Sequence, residues 1–569
     1  MRSSLQKSTG ASASTSAASR PRRHFISYVA LALGLAFFAA SLTPSLIPRA
    51  WPLQGALAGL VMALGYMIGR FCVSLWRGMQ FPEARGRRAL WLHGLLVGAA
   101  LALLVFCLAM AAHWQNSVRI RVGMDPEDGA TVLGVLAIGL AIFAVLFLIG
   151  SGFQLAFDAV RVRLYRVMAP RAANLLGLVI VLGIVFVASR DWVLPSAIDF
   201  LDESYETAQD LFETAPPAPD DSFIAGGPGS LVDWAAMGQP GRNFVTGAPS
   251  ADDIARFTGR PAQRPIRVYV GRSQDDDPHE RARIALAELQ RLGAFDRRIL
   301  LVASPTGTGW LDPGAHDTLE FMQDGDVATV AVQYSFLQSP LALIFETTTG
   351  LEQASATMEE IYRYWRTLPE DSRPQLYMHG ISLGAWSSMY SFNVFQMLDE
   401  PVAGALWTGP PFPSDIWRRT VAARNPGSPY VLPEVDQGEV ARFSSQFVTP
   451  QEQGDAWGRI RIVFLQHASD PIVFFEPGSV FREPEWMREE PAPDVSPDLR
   501  FVPVVTQFQL ALDMALSKAL PAGYGHNYLA HEYIDAWVAI SNPPDWSQEQ
   551  TEALKAICNL GKDTGCKMP

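Results

Sequence analysis

Five apolar stretches crowd the first third of the chain, at about Phe25–Leu42, Leu53–Leu75, Ala89–Ala112, Thr131–Phe157 and Ala172–Ser189. Each approaches or exceeds the ~18–20 residues that cross a hydrocarbon core. A soluble helix would keep one polar face, and these have none. The reading is a five-span transmembrane domain over residues 25–190, preceded by a Ser/Ala-rich, basic and disordered segment 1–24. Arg22-Arg23-His24-Phe25-Ile26 faintly resembles a twin-arginine export signal, but reads better as a basic flank holding the first helix.

The loops set an orientation. Arg20, Arg22 and Arg23 precede the first span, Arg77, Arg85, Arg87 and Arg88 follow the second, and Arg161, Arg163, Arg166 and Arg171 follow the fourth. The alternate loops hold only Arg49 and the pair Arg119 and Arg121. The positive-inside rule then puts the N-terminus in the cytoplasm and everything beyond the fifth span outside. Gly55, Gly59, Gly65 and Gly69 fall on one side of the second span, which suits close helix packing. Only Arg70 and His93 bring ionisable groups into the spans, both near their ends. Ion-coupled transport needs such groups deeper, so the expected role is an anchor or lipid-facing platform.

Residues 191–240 read as a connecting segment, with a linker at Ala215-Pro-Pro-Ala-Pro-Asp-Asp221. Beyond about Gly241 the composition is that of a soluble α/β domain. The whole-chain averages of 49% hydrophobic and 18% charged residues conceal this contrast. A net charge of −12 argues against a nucleic-acid partner. Runs at Ile266–Val270, Ile299–Ala303, Val327–Val332, Leu376–Met378, Ala403–Trp407 and Ile460–Leu465 are strand-like. The stretches around Ala282–Leu292, Leu351–Leu368, Ala385–Met397 and Val504–Leu520 are helix-like. Short buried strands alternating with helices predict a mainly parallel sheet covered on both faces. The excursion 411–458, rich in Pro and aromatics, is a candidate cap, with Trp417, Phe443, Phe447 and Trp457 weighed as acyl-chain contacts against plain core.

Gly380-Ile-Ser-Leu-Gly384 follows an apolar run and precedes small residues, the pattern of a G-x-S-x-G nucleophile elbow. The glycines let strand and helix approach across a turn that exposes the hydroxyl of Ser382. Such a serine needs a base, and the base an orienting acid. Asp470 follows the strand-like run Ile460–Leu465, where open α/β sheets keep their site residues. His526 stands in the loop Gly523-Tyr-Gly-His-Asn-Tyr528, and its glycines would let the imidazole project. Of the competitors, His379 is too close to its own elbow, while His467 and His531 read as structural. The oxyanion hole is expected from the N–H of Leu383 and from Thr306, Gly307 and Thr308 in the Gly-flanked loop after Ile299–Ala303. That loop lacks the Lys of a phosphate loop.

Together these residues make 241–569 resemble the α/β-hydrolase superfamily. More closely, the chain resembles the bacterial multi-pass membrane α/β-hydrolases. The likeness rests on Ser41-Leu-Thr-Pro-Ser-Leu-Ile-Pro-Arg49, Gly226-Gly-Pro-Gly-Ser-Leu-Val-Asp-Trp234, Pro305-Thr-Gly-Thr-Gly-Trp310, Gly404-Ala-Leu-Trp-Thr-Gly-Pro-Pro411, Gln466-His-Ala-Ser-Asp-Pro471 and Asp494-Val-Ser-Pro497. Two departures stand out. Ile381 occupies the place usually held by Glu, a position expected to point away from the chemistry. A helix-like run, not a strand, precedes His526.

The resemblance implies a serine hydrolase or acyltransferase. The expected reaction is attack of Ser382 on an ester or thioester carbonyl, with His526 as base and Asp470 orienting it. Tethering to the bilayer favours a lipid or lipid-linked ester. A transacylase using the same triad and a catalytically silent membrane scaffold are the alternatives. No cofactor is expected, and no metal-ligand spacing is present. Cys72 and Cys107 fall inside apolar spans. Cys558 and Cys566, placed outside by the topology, are expected to form a disulfide, which needs Cα atoms ~4.4–6.8 Å apart.

Overall fold

The computed structural model describes residues 27–84, 86–127, 131–165 and 216–568, apart from 337–346, 394–398, 455 and 559–564, with scattered positions between 168 and 183. Most of the fifth expected span, the N-terminal segment and the first half of the connecting segment, 191–215, lie outside the described residues.

Four apolar helices open the described chain: α1 (Tyr28–Ser41), α2 (Trp51–Gly78), α3 (Gly86–Arg121) and α4 (Val132–Leu164). Among the described residues α2, α3 and α4 are long and apolar enough to cross a membrane, whereas the described part of α1 is 14 residues. The five-span expectation is thus reduced to three candidate spans here. α1 packs on α2 and α3, and α2 packs on α4. The small residues of α2 divide between two partners. A Cβ at Gly59 would lie 2.5 Å from the carbonyl oxygen of Gly139 on α4, and one at Gly69 would lie 2.6 Å from Cα of Ala30 on α1. Bare backbone at these crossings is what lets the helices close.

The α/β domain is introduced by α5 (Gly238–Thr246) and α6 (Ala251–Thr258), and contains β1 (Ile266–Val270), α7 (Pro278–Arg291), β2 (Ile299–Ser304), α8 (Pro313–Met322), β3 (Val327–Val332), α9 (Thr347–Trp365), β4 (Gln375–Ile381), α10 (Leu383–Ser391), β5 (Gly404–Thr408), α11 (Asp415–Ala422), β6 (Ala441–Ser444), β7 (Arg461–Leu465), α12 (Val505–Leu516), α13 (Ala530–Ser541) and α14 (Gln548–Cys558). The described residues form a seven-stranded sheet in the order β1-β3-β2-β4-β5-β7-β6, with every neighbouring pair parallel. Strands such as Val327-Ala-Thr-Val-Ala-Val332 are buried along their whole length, as expected where helices cover both faces.

Register decides where chemistry can sit. Ser304 pairs with Gly380, Ile381 with Thr408, and Thr408 with Leu465, so β2, β4, β5 and β7 end level with one another. The chain steps from β2 to β3 on one side and to β4 on the other, which makes the β2–β4 boundary the topological switch point.

The excursion 411–458, weighed as a cap, contributes to the body of the domain. It supplies β6 to the sheet edge, and Phe443 on β6 stacks on Phe464 of β7 with ring centroids 4.8 Å apart. Trp417 is core as well, its indole donating to Gln466 Oε1 at 2.7 Å. The helix that contains the expected third span runs past Ala112, and α3 continues to Arg121. That extension meets the α/β domain: Ser117 Oγ lies 2.7 Å from Ser496 Oγ, and His113 lies 3.5 Å from Asp498.

The α1–α2 connection docks on the same domain. Asp513 of α12 accepts hydrogen bonds from the backbone N–H of Leu46 (3.0 Å) and Ile47 (3.4 Å). Gln509, one turn earlier, donates to the carbonyl of Thr43 at 2.9 Å. Leu46 and Ile47 belong to the same buried apolar cluster as the sheet residues Val268 and Val302.

Candidate active site

β4 runs through Met378-His-Gly-Ile381, and the chain turns at once into α10. Ser382 sits at this turn with φ 57° and ψ −129°, a backbone state that side-chain-bearing residues rarely adopt. Its N–H donates to the carbonyl of Thr408 at 2.9 Å. A Cβ at Gly380 would stand 2.3 Å from the carbonyl oxygen of Gly384, and one at Gly384 would stand 2.1 Å from that of Ser304. Both glycines are therefore required by close approach, one within the turn and one against the end of β2.

Asp470 ends the loop after β7 and caps the turn Pro471–Phe474, accepting from the N–H of Ile472 at 2.9 Å. Its other oxygen faces His526 Nδ1 at 2.6 Å and accepts from the hydroxyl of Tyr528 at 2.7 Å. All three side chains are buried. Burial works against the Asp470 charge, but His526, with hydrogen bonds from His526, Tyr528 and Ile472, outweighs it and holds the carboxyl below the ordinary range. On Tyr528 burial acts first and the Asp470 charge second, and both push the phenol well above its ordinary value, so it stays a donor.

His526 Nε2 is buried and makes no hydrogen bond. The ring packs on the backbone after β5, where a Cβ at Gly409 would come within 2.6 Å of Cε1. Gly409 follows Thr408, the residue that receives the Ser382 N–H, so the imidazole and the serine flank the same strand end. Both also line one cavity of about 460 Å³, together with Thr306, Thr308, Trp310 and Lys518. Ile381, next to the serine, borders the cavity and belongs to a buried apolar cluster with Leu406, Tyr528 and Tyr533.

The expected oxyanion donors separate. Leu383 opens α10, so its N–H has no acceptor within the helix. The N–H of Thr306 instead closes the loop onto the carbonyl of Trp310 at 3.0 Å, which removes it as a donor to a ligand. The N–H groups of Gly307 and Thr308 are not used in this way. The Thr308 hydroxyl lies 3.3 Å from that of Thr306.

Of the residues that hold the His526 loop, only His467 was read as structural from the sequence; the parts played by Ser469, Asp494 and Glu532 were not. His467 Nδ1 faces the carbonyl of Gly525 at 2.9 Å, while its Nε2 pairs with Glu532 at 2.9 Å. Ser469 Oγ accepts from the N–H of Gly525 at 2.9 Å, and Asp494 Oδ2 accepts from the N–H of Ser469 at 2.8 Å. Burial lowers the His467 pKa, but the carboxylate of Glu532 and its hydrogen bond raise it more, so the net shift is upward. His467 is thus structural, as its place beside Asp470 suggests. His379 is buried against the carbonyl of Leu406 at 2.8 Å, and His531 faces the carbonyl of Lys555 at 3.0 Å. Neither joins the cavity.

Cys558 and Cys566 are joined in a disulfide whose Cα atoms lie 3.9 Å apart, closer than the expected range. The second half of the bridge is tied to the domain through the Cys566 N–H, which donates to Asp317 Oδ2 at 2.9 Å. Asp317 and Glu320 both pair with the buried guanidinium of Arg267, itself on the cavity wall.

Comparison with known proteins agrees with this layout. Residues 266–554 match the model of an alpha/beta-hydrolase family, and residues 42–249 match the model of an alpha/beta-hydrolase family N-terminus. No curated protein and no solved structure gives a match. The first match covers the sheet, the elbow, Asp470 and His526, and the second covers the span-length helices and the docking loop, so the chain belongs to this alpha/beta-hydrolase family.

Proposed function

We propose that the protein is a membrane-anchored serine hydrolase that cleaves an ester or thioester through an acyl-enzyme. Ser382 is the nucleophile, His526 the base and Asp470 the group that fixes the imidazole tautomer. The observation that carries this reading is the strained serine on the wall of a cavity that is also lined by His526, whose Nδ1 is held by Asp470 behind it. With Nδ1 held by Asp470, Nε2 is left to take the serine proton. The N–H groups of Leu383, Gly307 and Thr308 are the candidate donors to the oxyanion.

A lipid or lipid-linked acyl group is the proposed substrate. Its support is the position of the His526 loop: Tyr524 packs on the end of the α3 turn, where a Cβ at Gly123 would lie 3.0 Å from Cε2. The site is thereby tied to helices long enough to cross a bilayer. In the proposed orientation, which the arginine-rich loops support, the α/β domain lies outside the cytoplasm. The test is hydrolysis of p-nitrophenyl esters of increasing acyl length by the purified full-length protein in lipid nanodiscs. Turnover should rise with chain length and fall by at least about a thousandfold in Ser382→Ala. Equal turnover by the variant would exclude the reading.

A further inference from the structure

A second cavity lies at the end of the helical bundle that faces the α/β domain. Its floor is Leu42, Arg49, Gln54 and Val135, its wall includes Leu108, Ala111 and Ala112 of α3, and its exposed rim includes Trp51, Glu127 and Thr131. The volume is about 60 Å³. On this measure a water needs about 10–15 Å³, so the space fits a small polar group and not an acyl chain.

The floor is chemically unfinished. The Arg49 side chain is wholly buried. Its Nη2 donates to Ser45 Oγ at 2.8 Å and to the carbonyl of Thr43 at 3.3 Å, but Nε and Nη1 make no hydrogen bond. Asp513 forms a long ion pair with Arg49, its Oδ1, which makes no hydrogen bond, 3.9 Å from Arg49 Nε, so that Nη1 is left facing no acid, and its other oxygen serves the N–H groups of Leu46 and Ile47. Gln54 donates through Nε2 to the carbonyl of Ser41 at 2.9 Å, which leaves its buried Oε1 without a donor. At the rim Arg119 is engaged by Glu127 at 2.8 Å, so that carboxylate does not satisfy Arg49. Unpaired buried donors of this kind are rare and costly unless something fills them.

The surroundings identify what fills them. Arg49 supplies charged donors and Gln54 an acceptor, so the complement is an anion that also carries a hydroxyl. The exposed faces of α3 and α4 on the way from this cavity are apolar, among them Leu101, Val105, Leu133 and Leu140. Trp51, exposed at the start of α2, is the residue type that settles at a membrane–water boundary. We propose that this cavity binds the head group of an anionic membrane lipid, a phosphodiester accepting from Arg49 and a head-group hydroxyl donating to Gln54, with the acyl chains running along α3 and α4. The site is separate from the Ser382 cavity. The proposal rests on the membrane reading above and not on the serine chemistry.

The test uses the full-length protein, purified in detergent and examined by native mass spectrometry with three probes: dioleoylphosphatidylglycerol, dioleoylphosphatidylcholine and inorganic phosphate. The expected result is one phosphatidylglycerol per chain, held about ten- to a hundredfold more tightly than phosphatidylcholine. Ala111→Phe fills the cavity from the α3 wall while keeping the Arg49 side chain and should abolish that preference, and Arg49→Gln should do the same if it folds. Equal retention of the two lipids, or an unchanged preference in Ala111→Phe, would overturn the proposal. Phosphate that displaces the bound lipid supports the phosphodiester contact. Phosphate binding with no lipid preference would mark a free-anion site and overturn the lipid assignment. Fluorophosphonate labelling of the same sample reports the hydrolase reading independently.

Discussion

At Ser382 a positive φ costs about 1–3 kcal/mol, and the fold supplies that through the Thr408 carbonyl and the two glycines that let α10 press against β2. Asp470 is held the opposite way, with its charge favoured by three donors. Asn at this position would keep the volume but favour the wrong imidazole tautomer. Asp470→Asn should therefore lower kcat for ester hydrolysis by about 10⁴ with little change in KM. An unaltered kcat would remove Asp470 from the mechanism. His467 provides a test of the loop behind the site. Its folded pKa is raised, so its contribution to stability is complete below the unfolded value of about 6.5 and is lost as pH rises through the folded value. Denaturation midpoints of the wild type should fall across that window, and Glu532→Gln should lose that fall. Identical pH profiles would show that the pair does not hold the loop.

Elements that carry a local signal were readable in the sequence, and those made by distant partners were not. β1 and β3 have the expected limits because each is a compact run rich in β-branched residues. The helix before His526 was legible as well, and α12 occupies Val505–Leu516. β6 was missed since Ala-Arg-Phe-Ser is short and polar, and Arg442 is buried only because its guanidinium meets the carbonyls of Gly438, Pro450 and Ala456. Ser382, Asp470 and His526 each sit in a recognisable turn, whereas the roles of Tyr528, Glu532 and Asp494 arise only when separate loops converge. Thr306 was misjudged because its N–H is consumed within its own turn. The same limit hid the contact between the α1–α2 connection and α12, whose partners Leu46 and Asp513 lie 467 residues apart. Burial pushes Asp513 up to about 6 even though Arg49 and the two N–H groups oppose it. Asp513→Ala would remove the carboxylate nearest the buried Arg49 and leave the N–H groups of Leu46 and Ile47 without an acceptor. It should destabilise the full-length protein by about 3–5 kcal/mol, read from chemical denaturation. A loss below about 1 kcal/mol would mean that the connection is held by its apolar contacts alone.

For the whole molecule, the helical region and the α/β domain share one buried apolar cluster, which includes Leu46, Ile47 and Val122 beside Val268 and Trp407. The helices are consequently more than a tether: the α3 turn touches the His526 loop, and the α1–α2 connection grips the helix that leads into it. That arrangement suits the proposed hydrolase with a substrate drawn from the bilayer, and the proposed reaction depends on Ser382 being the nucleophile. The most direct measurement is peptide mass spectrometry of the full-length protein after treatment with a fluorophosphonate. The account predicts a single phosphonyl adduct on Ser382, absent in Ser382→Ala and strongly reduced in His526→Ala. An unmodified Ser382, or an adduct on another serine that persists in Ser382→Ala, would contradict it.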